Sequence, residues 1–163
     1  MMTGFAGQPE VKATFDEASS VLGLDLWQLA CDGPETALNQ TVNTQPLMLA
    51  AGVAVFRAWQ AIGGARPALL AGHSLGEYSA LVAAGALSFG DAVALVRFRA
   101  EAMQDAVAEG EGAMAAILGL DGAPLLEACN EAAQGQVVAP VNFNSPGQVV
   151  IASLLAGLSR ASG

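Results

Sequence analysis

The sequence predicts an α/β fold, and three observations carry that prediction. Segments with helical periodicity alternate with apolar runs too short to be helices. One such run, "PALLAGHS" at 67–74, leads through a tight turn into a helix. After residue 110 the order reads strand, helix, strand, strand. The 163 residues are 53% hydrophobic and 13% charged, a balance that can bury a core and is too apolar for a disordered chain.

The elements follow in order. "PEVKATFDEASSVL" spaces Val11, Phe15, Ala18 and Leu22 at helical intervals, so a helix is expected over Pro9–Leu22. "TQPLMLAAGVAVFRAWQAIGG" reads as a second helix, with Pro46 in its first turn and Gly63-Gly64 ending it. It is apolar nearly all round and therefore expected to be buried. The run "PALLAGHS" is a candidate strand and "LGEYSALVAAGAL" a helix rich in small residues. A further helix is expected from about Asp91 to Glu109, its apolar stripe made by Val93, Val96, Ala100, Met103 and Val107.

At the Gly-rich "EGEGA" the pattern changes, dividing the chain into 1–109 and 110–163. "AMAAILGL" reads as a strand, "APLLEACNEAA" as a helix and "VVAPVNFNSPGQVVIAS" as two strands. Ser145-Pro146-Gly147-Gln148 places Pro and Gly where a type II turn needs them. With a helix-like tail from Leu154, this is the split βαβ order of a ferredoxin-like unit that stops before its last strand. The first segment offers one candidate strand, and a strand needs neighbours for its backbone groups. The chain is therefore expected to be incomplete at both ends.

Composition excludes several classes of partner. The net charge is −9, and only six residues are basic: Lys12, Arg57, Arg66, Arg97, Arg99 and Arg160. No phosphate-tracking stripe can be built from them, so neither nucleic acid nor an anionic membrane is an expected partner. The apolar run in "PLMLAAGVAVF" stops at Arg57, short of the roughly 20 residues a membrane-spanning helix needs. "MMTGFAGQPE" has neither the basic nor the apolar region of a signal peptide, so a cytoplasmic location is expected. Cys31 and Cys129 have no ligand-spaced partners and are expected to be buried free thiols, with no metal site.

Gly72-His73-Ser74-Leu75-Gly76 is a G-x-S-x-G nucleophile elbow. Alone the pattern is weak, but the apolar run before it and the helix after it are the setting that the elbow requires. The helix start directs N–H groups and partial positive charge at Ser74, and the Leu75 N–H is placed to hold an oxyanion. The alternative is that Ser74 is an N-cap, with Glu77 completing a capping box. A nucleophilic serine needs a base. His73 is the only histidine, but its side chain is expected to leave on the opposite face, as a satisfied structural group.

On the helix from Asp91, Arg97 has Glu101 four residues on, an ordinary surface pair. Arg99 has no acid three or four residues away on either side. Its anion is a structural acid from elsewhere, solvent reached by snorkelling, or a bound carboxylate suited to its bidentate fork.

With "GHSLGEYSAL", an Arg twenty-five residues beyond the serine, "TQPLML" upstream and "PVNFNSPGQVVIA" downstream, the chain resembles the bacterial malonyl-CoA:acyl carrier protein transacylase family. The resemblance runs from about Phe5 to Ala152. It implies an α/β-hydrolase-like large subdomain with an inserted ferredoxin-like small subdomain, both incomplete here. It also implies ping-pong transfer of malonyl from malonyl-CoA to the phosphopantetheine thiol of acyl carrier protein in fatty-acid synthesis, with no cofactor beyond that substrate.

By the same resemblance Ser74 is the nucleophile, Leu75 an oxyanion N–H donor, and Arg99 the partner of the malonyl carboxylate. Gln45 matches a glutamine near the pocket and Asn144 an asparagine of the small subdomain facing it, although both could equally be structural hydrogen-bonders. Two departures stand out. The family's "GQGSQ"-type loop would precede residue 1, and its catalytic histidine comes from its second half. The tail "SLLAGLSRASG" also leaves the usual polar continuation. The expectation is an N-terminal half, truncated or frame-altered and inactive alone. The rival readings are a serine esterase fragment, in which Arg99 has no obvious role, and a non-catalytic partial fold.

Overall fold

The computed structural model describes residues 2–5, 7–108, 110–154 and 157. The chain divides into two compact units, Met1–Gln104 and Asp105–Gly163. The division falls upstream of the Gly-rich stretch at which composition changes.

Among the described residues, six α-helices and a short 3-10 turn at Thr3–Phe5 build the first unit. Helix α1, Pro9–Leu22, starts on a proline whose missing N–H is no loss there, and it ends at Gly23 in the left-handed region (φ 65°). It buries Val11, Phe15 and Ala18. Two short helices absent from the sequence reading follow, α2 at Leu26–Asp32 and α3 at Glu35–Leu38. Asp25 starts α2 by accepting the Gln28 N–H at 2.8 Å.

Helix α4, Thr41–Ala61, begins a turn earlier than expected, so Pro46 lies inside it and not in its first turn. Helix α5 is Gly76–Ala84. Helix α6 spans Phe89–Asp105, starting before and ending short of the predicted bounds. Ser88 sets the start, accepting the Asp91 N–H at 3.1 Å while donating to the Asp91 carboxylate at 2.5 Å.

These helices close on one core. Phe15, Leu26, Leu49, Val53, Val93 and Val96 are fully buried, and Phe15 meets Trp27 edge-on at 5.2 Å. Arg57 ties α4 to α1 through Glu17 (2.7 Å) and Thr14 (3.2 Å), and its guanidinium stacks 4.8 Å from the Phe89 ring centre. Three burial expectations change. Met103 and Val107 are exposed, Cys31 is only half-buried, and α4 leaves Met48, Val55 and Trp59 exposed.

"PALLAGHS" forms no strand. A strand exists by pairing, and among the described residues of this unit no other strand is present to receive it. Leu69 is consequently 92% exposed.

The second unit holds β1 (Gly112–Leu118), α7 (Gly122–Ala133), β2 (Val138–Ser145) and β3 (Gln148–Leu154). The sheet order is β1-β3-β2 with both pairs antiparallel, so β1 and β2 run the same way with β3 between them. Leu125, Cys129 and Ala132 of α7 pack on Val138, Val149 and Ile151 of the sheet. Gly147 turns the β2–β3 hairpin with φ 70°, as the predicted type II turn requires. Its N–H donates to Asp121 at 2.6 Å, and its carbonyl accepts the Gly119 N–H at 2.7 Å. Of the helical tail expected from Leu154, Leu154 itself closes β3 and Gly157 is helical, and the rest lies outside the described residues.

Candidate active site

The site is built around the turn into α5. A Cβ placed on Gly72 would sit 2.0 Å from the Gly76 carbonyl carbon and 2.2 Å from the Glu77 nitrogen, so only glycine lets the incoming chain pass so close to the helix start. Ser74 then takes φ 52°, a left-handed conformation that costs a non-glycine residue about 1–3 kcal/mol. Strain of that kind persists only where the surroundings impose it. Here the turn is clamped by Gly76 N–H to His73 O at 2.9 Å and Glu77 N–H to Ser74 O at 3.2 Å.

The Leu75 side chain packs against the core of the unit and fixes the turn from inside. Its N–H has no hydrogen-bond acceptor among the described residues. It therefore remains open beside the serine, at the positive end of α5.

The Ser74 hydroxyl does not cap α5, which has no side-chain cap. Instead its Oγ accepts a hydrogen bond from Arg99 Nη2 at 3.0 Å, and Arg99 Nη1 donates to Gln45 Oε1. Gln45, buried on α4, donates through Nε2 to the Met103 sulfur at 3.4 Å. The arginine is thus aimed from both sides by neutral acceptors. Lys12, Arg57 and Arg97 each have a carboxylate within 2.7 Å, whereas Arg99 has none among the described residues. A half-buried, unneutralised guanidinium touching a strained serine is a ready site for an anionic substrate.

Ser74, Leu75, Arg99 and Gln45 therefore meet in one place. Asn144 belongs to the second unit, where it is exposed near the end of β2. The register passes from Phe143↔Val149 to Ser145↔Gln148, leaving Asn144 as the extra residue of a bulge, a device that re-aims a side chain. The His73 side chain is exposed and hydrogen-bonds neither Ser74 nor any other described residue, contrary to the expectation of a satisfied structural group. No group of three or more potential metal ligands converges among the described residues.

Sequence reasoning missed Arg97's second role. Its Nε pairs with Glu101 at 2.7 Å as expected, but its Nη1 also reaches α4, donating to the Val42 carbonyl at 3.0 Å and to Asn43 Oδ1 at 3.3 Å. The available signal was Pro46, four residues after Val42.

Residues 8–161 match the family described as acyl transferase domain. The chain belongs to that family. The chain is 60% identical over 156 residues to the malonyl CoA-acyl carrier protein transacylase of Escherichia coli strain K12, covering 96% of itself and 50% of that relative. It superposes with a TM-score of 0.91 and 58% identity on the acyl-carrier-protein S-malonyltransferase of Burkholderia pseudomallei, covering 96% of itself and 51% of that structure. A malonyl-transacylase solved in complex with its type II PKS acyl-carrier protein gives a TM-score of 0.92 at 57% identity, with 96% and 51% covered. The chain spans about half the length of the curated relatives it matches.

Proposed function

We propose that this acyl transferase chain carries the nucleophile and the carboxylate clamp of a transferase that moves malonyl from malonyl-CoA to the phosphopantetheine thiol of acyl carrier protein, in fatty-acid synthesis in the cytoplasm. The observation that carries the proposal is Arg99: a cation 3.0 Å from Ser74 Oγ, held by neutral acceptors and left without a carboxylate among the described residues. The family match and the named relatives support the same reading. The first unit is read as part of an α/β-hydrolase-like subdomain and the second as part of an inserted ferredoxin-like one. Among the described residues no helix is long and apolar enough to cross a membrane.

The geometry supports the following chemistry. The malonyl carboxylate pairs with the Arg99 fork, which places the thioester carbonyl at Ser74. Ser74 Oγ attacks that carbon as its proton passes to a base. The negative oxygen is held by the Leu75 N–H, and the C–S bond breaks to release coenzyme A, which leaves with a proton. The malonyl ester on Ser74 is then attacked by the carrier thiol in the reverse sense. Gln45 keeps Arg99 aimed, and a substrate contact for Asn144 rests on the family resemblance alone. The reading requires no cofactor. The His73 side chain makes no hydrogen bond to Ser74, and the resemblance implies that the base comes from the family's second half.

The test is Arg99→Ala in the chain completed by the remaining half of the Escherichia coli relative. Loss of a charge-assisted bidentate contact should lower malonyl transfer by roughly two to three orders of magnitude, at 1.4 kcal/mol per tenfold. Acetyl transfer, which has no such carboxylate, should fall much less or rise. Equal losses would assign Arg99 to structure. An esterase gives Arg99 no such role.

A further inference from the structure

Helix α4 carries a defect at the level of the site. Pro46 has no N–H, so the carbonyl of Val42, four residues before it, loses its ordinary i+4 partner in the helix. A buried or half-buried carbonyl left open is costly. Arg97 closes it from α6, with Nη1 at 3.0 Å from Val42 O and 3.3 Å from Asn43 Oδ1. Asn43 is in turn anchored, its Nδ2 donating to Ala37 O at 3.0 Å and to Gln40 Oε1 at 3.2 Å.

One turn along α4 from Val42 stands Gln45, which receives Arg99; one turn along α6 from Arg99 stands Met103, which receives Gln45. The two helices are thus joined at two consecutive levels, by Arg97 at the open carbonyl and by Arg99 at Gln45.

We propose that Arg97 is a positioning residue for the Gln45–Arg99 pair: by occupying the carbonyl that Pro46 leaves open, it holds the first turns of α4 against α6 and so fixes where the guanidinium of Arg99 lies beside Ser74. The proposal rests on the reading of Arg99 as the carboxylate clamp. It gives Arg97 a task that its surface pair with Glu101 does not describe, and it makes that task conditional on Pro46.

The experiment is a double-mutant cycle in the chain completed by the Escherichia coli relative's remaining half, reading kcat and KM for malonyl-CoA and acetyl-CoA. Arg97→Met keeps the aliphatic stem and removes the donors. It should raise the malonyl-CoA KM roughly tenfold, with kcat and the acetyl-CoA constants within about twofold, because a misplaced clamp weakens binding of the carboxylate in ground and transition state alike. Arg97→Lys, which retains a donor for Val42 O, should recover most of that loss. Glu101→Gln should leave all constants within about twofold.

In the Pro46→Ala background the new N–H occupies Val42 O, and Arg97→Met should then change the malonyl-CoA KM less than twofold. Should Arg97→Met fold only in that background, thermal stability shows the same coupling. An Arg97→Met effect equal to that of Glu101→Gln, or of the same size with and without Pro46→Ala, overturns the inference. If Arg99→Ala abolishes the malonyl preference while the Arg97 series is flat, the inference falls alone; if Arg99→Ala keeps the preference, both readings fall.

Discussion

The two glycines that flank Ser74 look equivalent in the motif, and the structure makes them opposites. A Cβ on Gly72 would meet the Gly76 carbonyl carbon at 2.0 Å and its oxygen at 2.1 Å, where ordinary contact starts at 3.4 Å. The chain and the helix start must separate by about 1.4 Å, and both partners are backbone, so no rotamer change relieves the clash. Overpacking of this kind costs about 1–3 kcal/mol, and a rigid backbone contact lies at the upper end. At roughly 4 °C per kcal/mol for a unit of about 100 residues, Gly72→Ala should lower the unfolding temperature of the first unit by roughly 10 °C.

A Cβ on Gly76, by contrast, meets nothing within 4 Å, and Gly76 opens a helix in which alanine is favoured by about 1 kcal/mol. Gly76→Ala should leave that temperature unchanged or raise it by a few degrees. The assay is thermal unfolding of residues 1–163 followed by far-ultraviolet circular dichroism. Equal temperatures for the two variants would refute the close-approach argument for Gly72.

Residues 1–163 alone should transfer malonyl at a rate on the order of 10⁶ below a complete relative, since Ser74 has no base among the described residues and triad members act as a unit; turnover near the relative's, measured with malonyl-CoA and a carrier thiol, would contradict this. Burial raises the thiol pKa of Cys129, whereas Cys31 is half-buried, so iodoacetamide at pH 8 should label Cys31 first and Cys129 only as the second unit opens. The raised folded pKa contributes stability below the unfolded thiol value of about 8.5, and that contribution is lost as pH rises beyond it. Unfolding of the second unit by urea should therefore become easier above about pH 8.5; a midpoint that rises there would contradict the burial.

What was legible in the sequence is what is local. The elbow could be read because Gly72 and Ser74 set its geometry within a few residues, and the hairpin because Pro146-Gly147 specifies its own turn. Helix α1 followed its period. The start of α6 was also written locally, in Ser88 and Asp91, and the start of α2 in Asp25 and Gln28; both signals went unread.

The strand at 67–74 failed for a different reason. Its apolar character is a strand's, but the hydrogen bonds that would make it one belong to a partner. Arg99 was recognisable as a cation without a local acid, yet its contact with Ser74 across 25 residues is tertiary. Arg97 reaching an open carbonyl 55 residues away combines a proline rule with a packing that no periodicity displays. Asn144 was named by resemblance, and its place in a bulge depends on the register of β2 against β3.

The central claim, that Ser74 accepts malonyl, is tested most directly by finding the acyl group. The chain, completed by the remaining half of the Escherichia coli relative, is exposed briefly to malonyl-CoA without a carrier thiol, quenched in acid and mapped by peptide mass spectrometry. The account predicts a malonyl ester on the peptide containing Ser74, absent from Ser74→Ala. A malonyl group on another residue, or none on a folded protein that still releases coenzyme A, would contradict it.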